Sequence, residues 1–191
     1  GDSEIRGIIQ PKYKDHYHAS LRGTNINLNQ FIATNNAEDN RTERIVSVSA
    51  NFDQVFLWEL PPIKNVTFAM KSDSSSTIQM TGYVDQRPVN IKSWEQNKVR
   101  KFTFKSDSAG RILKGFDITD SVVGGKILIT GEILDSNNVE KTSAIISIKD
   151  FGLKDAPLFT QILSSASLIG LLDTLRGKGI QFEHLNAEAT F

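Results

Sequence analysis

The chain has 191 residues, 39% of them hydrophobic, which is enough to bury one substantial core. Its 22 Lys and Arg balance its 22 Asp and Glu, so it lacks the broad positive field that nucleic-acid binders set against phosphate. It has no cysteine, which excludes disulfides, thiolate metal sites and cysteine nucleophiles together.

Residues 1–42 carry N-terminal strands and a polar loop. The opening Gly1-Asp2-Ser3 is polar and no charged and apolar leader follows, so the chain is expected to be an excerpt of a longer protein. Strand-like alternation runs over 4–10 and again over 15–28, with His16 and His18 on one face and Tyr17 and Ala19 on the other. Two histidines at that spacing suit a metal. The third, His184, is far away in sequence and no Asp or Glu cluster stands at ligand spacing, so both are read as surface residues without a role. One helical turn is expected at 27–33, and the polar stretch 34–40 is a loop.

From Thr42 onward a period of two dominates. Val46, Val48 and Phe52 alternate with Ser47, Ser49 and Asp53, and the phase changes near Val55. Pro61-Pro62 breaks the run, after which Val66, Phe68 and Met70 alternate with Asn65, Thr67 and Lys71. Beyond a turn at 71–76, Ile78 and Met80 alternate with Gln79 and Thr81, and a strand over 98–105 sets Phe102 and Phe104 against Lys101, Thr103 and Lys105. Ser106 or Asp107 can cap a short helix through Ala109, Ile112, Leu113 and Phe116. Gly124-Gly125 is expected to turn the chain into a strand over 126–135, and 135–138 is a hairpin loop into the next strand.

The last fifty residues predict strand, helix, strand. Ala144, Ile146 and Ile148 alternate with Ser143, Ser147 and Lys149. Asp155 is placed to cap a helix with Pro157 in its first turn. Leu158, Ile162, Ile169 and Leu172 form its apolar stripe, Leu163 widens it, and Gly170 is expected to let a strand approach the helix backbone. Polar residues interrupt this stretch, which therefore falls short of the ~20 apolar residues of a membrane span. A strand follows from Ile180, with a bulge expected near Glu183 and His184.

Catalytic chemistry has no visible seat. No G-x-S-x-G elbow surrounds any serine, and Gly124-Gly125-Lys126 lacks the leading glycine and the hydroxyl of a phosphate loop. Asp117 and Asp120 decorate a loop instead of forming an acid and base pair.

Four motifs in the C-terminal half carry a resemblance: Asp155-Ala156-Pro157, the Leu-rich run 168–175, Gly177-Lys178-Gly179-Ile180, and Phe182 in the final strand. With Ser106 to Gly110 and Gly124-Gly125-Lys126 upstream, these resemble the AsmA-like C-terminal region of envelope proteins of the AsmA, TamB and YhdP kind. The resemblance spans 102–191 most closely, and by it 43–191 is assigned to that region. It implies a non-catalytic segment of a periplasmic protein whose parent is anchored in the inner membrane through parts absent here. It also implies a hydrophobic β-groove that passes phospholipid or another acyl lipid between membranes and serves outer-membrane homeostasis, without a cofactor.

The expected architecture is mainly β with minor α: a curved, mostly antiparallel sheet, groove or half-barrel, with one long amphipathic helix near the C-terminus. About nine strands at ~4.8 Å make a sheet roughly 40 Å wide, whereas one helix covers a strip roughly 10 Å across. The remaining apolar face either closes on itself or meets a ligand. The lining candidates are Val46, Val48, Phe52, Val66, Phe68, Met70, Ile78, Met80, Phe102 and Phe104, each of which also suits an ordinary core. The alternative is a closed structural or interaction module that recruits an envelope-assembly partner by a sheet edge or by the 158–175 helix.

Overall fold

The computed structural model describes residues 5–13, 16–29, 45–72, 76–97, 99–136, 139–154 and 180–190. Ten strands follow one another in the sheet in chain order: β1 (Ile5–Tyr13), β2 (His16–Asn27), β3 (Ile45–Phe56), β4 (Ile63–Ser72), β5 (Thr77–Val84), β6 (Arg87–Gln96), β7 (Val99–Ser106), β8 (Val122–Ser136), β9 (Val139–Leu153) and β10 (Ile180–Thr190). Every neighbouring pair is antiparallel except β2 and β3, which run parallel. The sheet is open and curved, with β1 and β10 as its edges. The expected helix over 158–175, with Leu158, Ile162, Leu163, Ile169, Gly170 and Leu172, lies outside the described residues, as does the loop at 34–40.

Short connections follow from local chemistry. Asp85 and Gln86 both have positive φ, at 48° and 64°, the turn geometry that matches strand twist in a two-residue hairpin. Val84 consequently faces Arg87. Pro61 and Pro62 keep the chain between β3 and β4 out of the ladder, and this loop drops Leu57 and Leu60 into the core.

The described helix, α1 (Ala109–Gly115), is short because Phe116 already leaves the helical region and Asp117 turns to φ 55°. Ser108 is its N-cap without a side-chain hydrogen bond, and the hydroxyl of Ser106 accepts the Ser108 N–H at 3.1 Å. The cap thus sits one or two positions from the expected one, and Ser106 supports it instead of forming it. α1 joins two apolar clusters. Ile112 packs with Phe52, Val55, Ile63, Val66, Met80, Val84 and Val89, whereas Ala109 and Leu113 pack with Val122, Ile127, Ile148 and Phe151. The core therefore lies between α1 and one end of the sheet's apolar face.

Two breaks in alternation shape that face. Residues three apart in a regular strand point to opposite sides, yet Ile63 and Val66 are both buried, as are Ile148 and Phe151. In each case a residue between them has left the β region: Asn65 at φ 51° and Asp150 at φ 53°. Gly124 and Gly125, at φ 66° and 81°, make the matching bend in β8. They lie inside that strand, so the expected turn at this pair is a mid-strand bend. The expected bulge at Glu183 is likewise displaced, since β10 pairs with β9 at one constant register and the irregular backbone belongs to Asp150.

Asn65 tolerates the left-handed region better than a β-branched residue does, because its short amide bonds locally. Asn65→Val is expected to lower stability by about 1–3 kcal/mol and Asn65→Gly to leave it equal or higher, read from urea midpoints. Equal midpoints for both variants would show that the bend does not depend on this residue.

Candidate functional site

Residues directly opposite across a sheet share a face, so the register places every sequence candidate. One row runs unbroken across all ten strands: Gly7, Leu21, Ala50, Phe68, Met80, Ile91, Phe104, Ile129, Ile146 and Ala187. A second row lies beside it, farther from α1: Ile9, Ala19, Val48, Met70, Ile78, Ser93, Phe102, Gly131, Ala144 and Ala189. Ser93 is the one polar residue of the twenty, and its hydroxyl is turned to the Lys101 carbonyl at 3.1 Å. At ~4.8 Å per strand, nine spacings make this lane roughly 43 Å long measured along the sheet.

The opposite face is built differently. The row Ser20, Ser49, Ala69, Gln79, Lys92, Thr103 and Thr130 crosses the same strands on the other side. Lys101 and Glu132 form a 3.1 Å ion pair there, and the Lys92 ammonium lies 5.5 Å from the Trp94 ring centre. Ser47, Ser49 and Ser20 hydroxyls hydrogen-bond the two ring nitrogens of His18 at 2.8, 3.2 and 3.1 Å. His16 meets the Tyr13 ring edge-on at 5.3 Å. No group of three His, Asp or Glu suited to a metal occurs among the described residues. His18→Gln is therefore expected to change stability by no more than about 1 kcal/mol, since the Ser20 hydroxyl is exposed, those of Ser47 and Ser49 are half-buried, and water or the Gln amide can replace the lost partner; a loss of about 3 kcal/mol or more would give His18 a larger part.

All ten lining candidates fall on the apolar face, and burial divides them into three sets. Phe52, Val66 and Met80 are buried in the core beside α1, at 7%, 2% and 8% exposure. Phe68 and Phe104 are half-buried against that core. Val46, Val48, Met70, Ile78 and Phe102 are half-exposed and, among the described residues, belong to neither cluster. The division follows distance from α1, which covers one end of the face. Phe102 lies across Gly131, where a Cβ would stand 2.5 Å from its Cζ, so the missing side chain on β8 makes room for the ring.

Several members of the two rows were not singled out from sequence: Leu21, Ile91, Ile129 and Ala189 among them. Their signal was present as alternation within each strand. What sequence alone lacked was the strand order that joins the alternating sets into one lane.

No protein-family model matches this chain, and neither does a curated protein or a solved structure.

Proposed function

We propose that the outer part of the apolar face is a trough for the acyl chains of a phospholipid, and that the chain is a non-catalytic segment of a lipid-transferring envelope protein. The observation that carries this is the pair of uninterrupted rows crossing all ten strands, whose second row belongs to no core cluster among the described residues. Soluble monomers rarely leave a contiguous apolar surface above a few hundred Å² without a binding role. Covering about 300 Å² of it with lipid removes roughly 7 kcal/mol of unfavourable hydration before the cost of ordering the chains. The motif resemblance over 102–191 supports the same reading and supplies the setting: the periplasm, with the parent anchored in the inner membrane. The open sheet favours a trough over a closed module, because β1 and β10 do not meet.

A lane roughly 43 Å long, without a charged side chain in either row, suits sliding along the sheet better than capture at one point. Mixing the chain with donor vesicles of fluorescent phosphatidylglycerol and unlabelled acceptor vesicles is expected to speed transfer in proportion to protein. A rate equal to that of vesicles alone would remove transfer from the proposal.

A further inference from the structure

The polar face carries a cleft of its own. About 460 Å³ in volume, it is lined by Trp94 of β6 and by three consecutive residues from each of β7 to β10, among them 101–103, 130–132 and 143–145. Alternate side chains leave a strand by opposite faces, so the outer two of each triplet wall the cleft and the middle one gives only backbone to its floor. Phe102, Gly131 and Ala144 are middle residues, and their side chains belong to the second apolar row on the other face. The cleft and the trough therefore lie back to back.

The register sets the walls. Trp94, Lys101, Glu132 and Ser143 stand directly opposite one another on four successive strands, and Thr103, Thr130 and Ile145 form the row beside them. The hydroxyls of Thr103, Thr130 and Ser143 have no hydrogen-bond partner among the described residues, unlike those of Ser20, Ser47 and Ser49, which bond His18. Lys101 and Glu132 pair at 3.1 Å with side chains 33% and 45% exposed, so the pair keeps donors and acceptors for a ligand. Half-buried Trp94 and half-exposed Ile145 add apolar surface. Lys92, whose ammonium lies 5.5 Å from the Trp94 ring centre, stands outside the cleft.

This chemistry selects a class of ligand. Among the described residues Lys101 is the only cation on the walls and faces two acids, Glu132 and Glu188, so an anion such as phosphate is repelled. An acyl chain would strip water from the hydroxyls and the ion pair without returning a hydrogen bond. A sugar meets both demands: its hydroxyls donate and accept together, as do those of Thr and Ser, and its C–H face packs on an aromatic ring. We propose that the cleft binds a saccharide of linked, uncharged rings, Trp94 stacking one ring while Lys101 and Glu132 bridge neighbouring hydroxyls of the next. From Trp94 to Ser143 the row spans three strand spacings, ~14 Å, which is longer than a single ring. Neither lipid nor the ends of the sheet enter this inference, because these residues lie on β6 to β9.

Trp94 reports on its own cleft. The chain has two tryptophans, so a Trp58→Phe background leaves Trp94 alone. Titration of that protein with maltotetraose, cellotetraose and the N-acetylglucosamine tetramer is expected to change its emission saturably for at least one of them. Thr130→Val and Glu132→Gln conserve volume at half-exposed positions, and each should weaken that binding about fivefold or more by removing a partner of a sugar hydroxyl. Trp94→Ala, followed by calorimetry, should weaken it about tenfold or more. No response to any of the three saccharides overturns the inference, as do folded Thr130→Val and Glu132→Gln proteins that bind like the parent. An equal response to inorganic phosphate or to putrescine overturns it as well, since it would mark a charge site.

Discussion

Gly110→Leu is expected to unfold the chain or to lower its stability by about 3–5 kcal/mol. A Cβ on Gly110 would stand 2.3 Å from the Val122 carbonyl oxygen and 3.0 Å from its carbonyl carbon, both backbone atoms of β8. Backbone within a ladder cannot yield as a side chain can, so α1 would have to leave the sheet. That movement opens both clusters at once, since Ile112 belongs to one and Ala109 and Leu113 to the other. Arg111→Leu on the same helix is the control. Arg111 is 61% exposed and its 3.0 Å contact with Asp85 is a surface ion pair, worth no more than about 1 kcal/mol after solvent screening. Urea denaturation of the two variants checks the contrast. Equal midpoints would mean that the close approach of α1 to Val122 is not required.

Much of the architecture was legible because period-two patterning is a local signal. Val46, Val48, Phe68, Met70, Ile78 and Phe102 were placed on one side of their strands by alternation alone, and the register sets them on one face. The parallel pairing of β2 with β3 was not legible, because it joins segments separated by 28–44 and depends on no local pattern. The bends at Asn65 and Asp150 were also hidden, since a non-glycine residue at positive φ leaves little trace in sequence. Only the doubled glycines opposite Asp150 hinted at one of them, and a hairpin turn accounts for Gly-Gly equally well. The division of the lining into core and half-exposed residues needed the position of α1: Met80 and Phe102 look alike as apolar strand residues, but α1 caps the end of the face near Met80.

That division sets the second large effect. Met80→Asp puts a charge at a site 8% exposed among Phe52, Val66 and Val89 and is expected to remove most of a typical 5–15 kcal/mol of stability. Phe102→Asp and Ile78→Asp place the same charge in the half-exposed second row, where water can reach the carboxylate. Each is expected to cost no more than about 1–2 kcal/mol. The folded variants then test the trough, because a carboxylate in the lane must be desolvated when an acyl chain lies over it.

The proposed trough places lipid along the second apolar row. Native mass spectrometry of the purified chain, with extraction and identification of what it carries, tests this most directly. The expected result is about one acyl lipid per chain, reduced at least fivefold in folded Phe102→Asp and Ile78→Asp proteins. A chain that carries no lipid, also after incubation with phosphatidylglycerol vesicles, or folded variants that retain all of it, would contradict the claim.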